Sequence, residues 1–513
     1  MNERNAVRRL RAHQLGAPVP TTSTIHHHLA NPADQLIVAF VRMGGESSPW
    51  GVAWGHPGQQ PRIATAPEPR NRDEARRVIT PFALDLLDHL RVPPYTDSLV
   101  DGHEDLLPLR QVWLPNGSHL DMVHALGFTY ARTKAGGEDR EMLNAFGRAC
   151  GWLLRESDRP GQQSVITATS ALTGAWAFPA QDSRCGHLGF LLGWLGAGPR
   201  EQRTEAARSA EQRPIGTSLD PSFERDHLAP LVAAWNDDGE SHRPAAAEAI
   251  HDDLEPELRH RFALVVAAIS AIVEDERPVN AGVERLVATG ARRMWFDLVF
   301  QESGLGTDYG DQQRWFTAIE TDRNPESAAK RYFVQTSSED LAEALMVHDD
   351  DVLLAEMVAD GDALRGHIAD VVDVGEGRAK RPVWTVSLRD SGPTRRRVGD
   401  RLCVRGLEGR TATLRRIEED EDGPRVAVVE VTGLVTKPRS AGGEVLAATS
   451  AELIGTEVAL VPAAFPLGGR KIGMVRKALD APGAWVTHAI PGGPRSVVHD
   501  GDFDDRAERG GDE

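Results

Sequence analysis

A chain of 513 residues with 40 % hydrophobic residues can bury the cores of about three domains without help from disulfides or metals. Its three cysteines, Cys150, Cys185 and Cys403, are too few and too scattered for a disulfide framework, which points to a reducing, cytoplasmic setting. No uncharged run reaches the ~18 residues that span a bilayer, and Met1 to Ala17 are basic without the apolar centre of a secretory signal, so no membrane partner is expected. The net charge is −18, and Arg, Ala and Gly are favoured over a scarce lysine, the usage of a high-GC bacterial genome.

Residues 1–34, which include His26-His27-His28, are expected to form a flexible arm. Leu36–Val41 (LIVAFV) reads as a buried strand, and Trp50–Trp54 and Arg62–Ala66 as short strands between Gly/Pro turns. Arg72–Leu90 has helical spacing, with Val78, Phe82, Leu86 and Leu90 on one stripe; Pro81 predicts a kink or a later start. These elements define a small α/β module over 35–135. From 136 to 360 the pattern is mostly helical. Glu138–Leu154 carries a stripe of Met142, Phe146, Cys150 and Leu153, and Gly186–Leu195 is wholly apolar. Ser218-Leu-Asp220-Pro221 marks a helix start, where Ser218 or Asp220 can cap and Pro221 suits the first turn. Leu254–Val273, Val283–Phe300 and Ser338–Val358 follow as further helices, the last with Ser338 as its cap. Trp152, Trp176, Trp194, Trp235, Trp295 and Trp315 all fall here and read as core or interhelix residues.

From Leu364 the hydrophobic period changes to two. Strands are predicted at Arg365–Val374, Pro382–Leu388, Arg401–Arg405, Thr411–Glu418, Val426–Thr432, Glu457–Pro462, Arg470–Arg476 and Ala484–His488, with turn residues between them. Such spacing implies a closed barrel or a sandwich over 363–498. Residues 499–513 are acidic and Gly-rich, the composition of a disordered tail. The fold class is therefore α+β multidomain: a small α/β N-terminal module, a central α-helical region and a C-terminal β-barrel. Ala363 to Val498 hold 21 Lys+Arg against 16 Asp+Glu, a net of +5; of the 58 basic and 76 acidic residues of the chain, 37 and 60 lie outside it. A basic module on an acidic chain suggests a polyanionic partner.

The run from Val398 to Glu419, GDRLCVRG followed by GRTATLRRIEE, resembles small SH3-like or OB-like barrels of translation and transcription factors. It is also similar to the accessory barrels of Upf1-like superfamily 1 helicases. That resemblance covers about 70 residues and implies a barrel that touches nucleic-acid backbone or adjusts a motor. The chain has no G-x-x-x-x-G-K-[ST] phosphate loop, so it is not itself such a helicase.

The candidate nucleic-acid contacts are Arg395, Arg396 and Arg397 in one turn, Arg378, Lys380 and Arg381 in the preceding turn, and Arg415 and Arg416 in a strand. Guanidinium groups on a barrel rim can pair with phosphates bidentately; the same residues also fit solvated turns. Trp384 could stack on a base, but its alternation with Val383 and Val386 reads as core. His26-His27-His28 lack partner ligands at metal spacing and read as a solvated arm. Cys185-Gly-His187 opens an apolar helix, where a buried thiol is expected rather than a nucleophile; Cys150 and Cys403 read as core. His251-Asp252-Asp253 and His348-Asp349-Asp350-Asp351 resemble HD-type metal clusters, but no further His and late Asp can be placed, and acidic residues beside helix starts are usually caps.

No hydrolase elbow, zinc-protease motif, dinucleotide fingerprint or kinase signature is present, and no cofactor is expected. The sequence therefore favours a non-catalytic accessory protein in a nucleic-acid transaction, with DNA or RNA on the barrel and a helicase or nuclease as protein partner, for instance in a bacterial defence or repair cassette. The alternatives are a metal-dependent hydrolase with its site in the helical region and a scaffold that binds a basic protein.

Overall fold

The computed structural model describes residues 3–27, 29–44, 46–90, 110–134, 137–157, 164–237, 242–279, 346–375, 381–389, 392, 394–405, 407–420, 423–432 and 453–463. The predicted helix Val283–Phe300, the strands Arg470–Arg476 and Ala484–His488, Trp295, Trp315 and the acidic tail lie outside these residues.

The chain begins with helix α1 (Glu3–Leu15) and a two-residue strand β1 (Val19–Pro20). A five-stranded sheet follows. Strands β2 (Gln35–Arg42), β3 (Pro49–Gly55) and β4 (Arg62–Thr65) run antiparallel, and helix α2 (Arg72–Leu90) then crosses to β5 (Gln111–Leu114), which pairs parallel with β2. Helix α2 passes through Pro81 without ending. Helices α3 (Gly117–Tyr130) and α4 (Arg140–Ser157) lead to β6 (Val165–Thr167), parallel to β5, giving the order β4-β3-β2-β5-β6.

Alternation along these strands sorts the side chains into two cores, because successive side chains leave a strand on opposite faces. Leu36, Val38 and Phe40 of β2, Val112 and Leu114 of β5 and Val165 of β6 pack against α2, α3 and α4. Ile37, Trp113 and Ile166 face the other way. Each fully buried Leu, Ile or Phe contributes about 1.5–3 kcal/mol, which is why the uninterrupted run LIVAFV can occupy the middle of the sheet. Helices α3 and α4 touch at glycines: a Cβ on Gly147 would fall 2.1 Å from the Ala131 nitrogen.

The second face is covered by α5 (Ala168–Ala175), α6 (Leu188–Leu195) and, after β7 (Trp176–Ala177), α7 (Arg200–Glu211), the short α8 (Pro221–Phe223), α9 (Ala229–Asn236) and the 31-residue α10 (Arg243–Val273). Of the two caps expected at this helix start, Ser218 and Asp220, it is Asp220 that caps α8, accepting from the Ser222 amide. The expected boundary at 135/136 is thus corrected. Strand β6 belongs to the sheet begun by β2, because a parallel neighbour can be reached only after a crossover of a dozen or more residues, here α3 and α4. The first and second regions form one α/β body with a helical layer on each face.

The arm is corrected too. Val19–Pro20 pairs with Trp176–Ala177, and Ile25 is buried in the second core. Beyond it, Asp350 begins helix α11 (Asp351–Ala359), so the single helix predicted over Ser338–Val358 is interrupted there. The Asp350 side chain is 0 % exposed. One oxygen accepts from the Val352 and Leu353 amides, the other from Ser23 N at 2.9 Å, Thr24 N at 3.2 Å and His26 Nε2 at 3.0 Å. Arg8 pairs with Glu356 on the same helix.

The C-terminal strands are β8 (Leu364–Val374), β9 (Arg381–Leu388), β10 (Arg401–Val404), β11 (Leu407–Asp420), β12 (Gly423–Thr432) and β13 (Glu457–Pro462). They close a six-stranded antiparallel barrel in the order β10-β11-β12-β9-β8-β13, with β13 returning to β10. Its interior is filled by Leu364, Ile368, Trp384, Val386, Leu402, Leu414, Val429 and Leu460 among others, as expected for a small barrel. Outside, α11 covers β10 and β13: Leu354 packs with Cys403, Ala459 and Val461.

Two expected outcomes follow from these buried polar groups. Burial raises the Asp350 pKa, but hydrogen bonds from His26 and the Leu353 and Ser23 amides outweigh it and hold the carboxyl well below the usual range. Its contribution is complete above the unfolded value of about 3.9 and is lost as the pH falls through the lower folded value. Asp350→Ala should cost about 3 kcal/mol in urea unfolding at neutral pH, since it removes a cap and strands four amides and a histidine. Separately, burial pushes His89 down to about 4 and His119 to about 3. Both stay neutral when folded and protonate when unfolded below about 6.5. At about pH 5, unfolding should bind about two protons from solvent onto this pair, a loss of about 2.5 kcal/mol per pH unit on acidification. Denaturation midpoints against pH, with His119→Gln removing one proton's share, check this.

Candidate nucleic-acid interface

The outward-facing positions of the barrel bring some of the candidate cations together and separate others. On β12, Ala427, Val429 and Val431 face inward, which turns Glu430 outward. Its neighbours across the sheet are Thr413 of β11 and Val383 of β9. From those two strands Arg415 and Arg381 reach over it: Arg381 Nη1 lies 2.8 Å from Glu430 Oε1, and Arg415 Nε donates to Oε2 at 2.9 Å. Hydrogen bonds from Arg381 and then Arg415 lower the Glu430 pKa, so the carboxylate stays charged. A bulge between Leu414 and Arg416 places Arg415 and Arg416 consecutively at the surface. Arg416 pairs with Glu418 at 2.8 Å.

A second group surrounds Asp362, just ahead of β8. Arg396 Nη2 lies 2.7 Å and Arg395 Nη1 3.3 Å from its two oxygens, and the Arg395 amide donates to the Gly361 carbonyl. The turn is tied further by Arg397 N donating to Asp400 at 3.0 Å. The Arg397 side chain is exposed. Arg396 is half-buried, and its Nε has no hydrogen-bond partner among the described residues. Arg378 and Lys380 lie outside the described residues.

The pairs share an asymmetry that decides what solvent meets. Glu430 is 17 % exposed beneath Arg381 and Arg415 at 57 % and 53 %; Asp362 is 27 % exposed beneath Arg395 at 68 %. At Glu430 the carboxylate forms the lower layer and the two guanidinium groups the upper one; at Asp362 only Arg395 lies above, because Arg396 is sunk beside the acid at 21 % exposure. Two arginines over one acid leave the Glu430 group with one excess positive charge, whereas beside Asp362 a second carboxylate, Asp400, lies 3.9 Å from Arg396 Nη1. The arginines of these groups are legible in the sequence; Glu430 and Asp362 beside them are not. A charged residue in the run Val-Val-Glu430-Val, at the outward phase of a strand, was the available signal for the first.

The remaining candidates are dispersed. Trp384 is core, 3 % exposed inside the barrel, and Cys150 and Cys403 are buried. Cys185 is half-buried rather than buried, its Sγ 3.5 Å from the Gln181 carbonyl. It sits in the turn before α6, where surface is still open. His187 is that helix's cap: Nδ1 accepts from Phe190 N and Nε2 donates to the Arg213 carbonyl, so neither ring nitrogen is left to serve the thiol. His26 is not solvated as expected, because Asp350 draws it in. His28 lies outside the described residues. His251 meets Thr65 on β4, and Asp350, two residues after His348, is a helix cap. Among the described residues no group of three His, Cys, Asp or Glu side chains is placed to hold a metal ion, and no helix is long and apolar enough to cross a membrane.

No family model, no curated protein and no solved structure matches the chain.

Because Arg381 and Arg415 are more than half exposed, solvent screens their pairing with Glu430. Glu430→Gln should therefore shift the unfolding free energy by less than about 1 kcal/mol, measured by chemical denaturation of the full chain.

Proposed function

We propose that the protein acts as a non-catalytic accessory protein in a nucleic-acid transaction, beside a separately encoded helicase or nuclease, with the barrel contacting the phosphate backbone. The observation that carries this reading is the layering of charge: on the barrel sheet the Glu430 carboxylate lies beneath exposed Arg381 and Arg415, and ahead of β8 exposed Arg395 lies over Asp362. A guanidinium held from below keeps donors for a second anion and has lost part of its rotamer freedom before binding. The similarity of the Val398–Glu419 run to backbone-contacting barrels supports the same reading. Base stacking does not enter it, since Trp384 is in the core.

The test is binding of the full chain to labelled single- and double-stranded DNA and RNA across a salt series. Log affinity should fall linearly with log salt, with a slope of about −0.7 to −0.9 per phosphate contacted. Replacing Arg395, Arg396 and Arg397 together by Ala should weaken binding and flatten that slope by about one to three contacts. Glu430→Gln, which adds one positive charge, should tighten binding at low salt. Absence of binding at low salt, or affinity unchanged by the triple replacement, would remove the barrel from nucleic-acid contact.

A further inference from the structure

Strand β2 outlasts its parallel neighbour. β5 pairs with it only as far as Ile37↔Trp113, yet β2 continues to Arg42. Past that point the backbone of β2 is satisfied by two substitutes. His119, from the first turn of α3, accepts from Phe40 N at 3.0 Å and donates to the Ile215 carbonyl at 3.0 Å. Farther on, Arg42 N donates to the Thr217 carbonyl at 2.7 Å and Arg42 pairs with Ser218 in a parallel bridge. The segment 214–219 thus takes the place that β5 vacates. An open cleft of about 450 Å³ lies there, outside the carboxyl ends of the parallel strands.

The wall of that cleft is firmly held. The fully buried Arg261 of α10 donates to the Gly216 carbonyl at 2.9 Å and to Glu257, and Arg213 clamps Glu257 from its other side at 2.7 Å. Ser118 Oγ accepts from Thr217 N at 3.1 Å and donates to Asn116 Oδ1 at 2.8 Å, while Asn116 Nδ2 donates to the Gly186 carbonyl at 3.0 Å. Those contacts bring two helix N-termini, of the 14-residue α3 and the eight-residue α6, to the same rim.

Its chemistry has one sign. The lining includes Arg42, Asn116, Ser118, Ser183, Thr217 and Ser218, and no acidic residue. Two polar groups of that lining have no hydrogen-bond partner among the described residues: Thr217 Oγ1, in a residue 1 % exposed, and Arg42 Nε. Buried donors are seldom left unpaired, because each costs about 1–3 kcal/mol. A guanidinium, an unspent hydroxyl and two helix N-termini together suit a small oxyanion, and the crevice at the carboxyl end of a parallel sheet is where open α/β sheets bind ligands.

We infer that this cleft is a binding site for a phosphate group, with Arg42 and Thr217 as its principal ligands. The site lies on the α/β body and is independent of the barrel. The phosphate can be free or the ester of a small molecule such as a nucleoside monophosphate.

Calorimetric titration and thermal unfolding of the full chain with inorganic phosphate, against chloride at matched ionic strength, test it. Phosphate should bind saturably and raise the midpoint where chloride does not. Arg42→Gln should weaken phosphate about ten- to hundredfold, the range for hydrogen bonds to charged groups. Thr217→Val, which deletes only an unpartnered hydroxyl, should keep or raise the ligand-free midpoint and still weaken phosphate. An adenosine monophosphate arm separates the sources: tighter binding than inorganic phosphate marks an ester site, equal binding a free-anion site. DNA affinity should be untouched by Arg42→Gln, so failure here and failure of the barrel reading are told apart. Equal midpoint shifts in phosphate and chloride, or phosphate affinity unchanged in both folded variants, would overturn the inference.

Discussion

The buried carboxylate of Asp350 is the constraint on which the joining of the two bodies depends. It receives two amides from its own helix, two from the segment after α1 and a histidine nitrogen. A carboxylate with no exposed surface survives only when its lone pairs are fully used. Here that requirement binds residues more than 300 positions apart in the chain. Helix α11 is fixed by it on one side and packs on the barrel on the other, while the 19–25 segment is fixed by it and continues into the α/β body through β1 and Ile25. The same few atoms therefore cap a helix, order the N-terminal segment and connect the barrel to the rest.

Charge is handled differently at depth and at the surface. Inside, Arg261 and His119 serve the backbone carbonyls of 215 and 216, and their value lies in holding a segment where no strand can run. Outside, Glu430 serves Arg381 and Arg415 above it, and Asp362 serves Arg395. In the first case a buried cation, Arg261, and a neutral imidazole are spent on structure; in the second the cations are displayed. The sequence shows equal-looking arginines in both settings, and only the fold distinguishes them.

Legibility followed the locality of the interactions. Strand β13 and helix α2 were readable to the residue, because period-two and period-3.6 patterns depend only on near neighbours. Trp384 as core and Asp220 as a cap were readable for the same reason. What failed depended on distant partners. Val165–Thr167 is too short to announce a strand, and its pairing with β5 appears only once α3 and α4 have been folded away. The residues around Val19 and His26 have no apolar pattern of their own and are ordered by Trp176 and Asp350, far along the chain. The arginine sites were found by composition alone; that Arg396 is half-sunk on Asp362 while Arg397 is exposed could not be read from three identical letters.

The covering of β10 and β13 by α11 bears on how the barrel comes to exist. Strand β13 begins at Glu457, well after β12 ends at Thr432, and it must find both β8 and β10. Closure of such remote pairings is slow, because the loop entropy is lost before the strands gain their bonds. Until β13 arrives, β8 and β10 present open edges and α11 lacks Ala459 and Val461 from its apolar seat. A chain that stops short of Glu457 during synthesis thus holds a helix and two sticky strands awaiting one six-residue segment, the interval in which this protein is most exposed to aggregation.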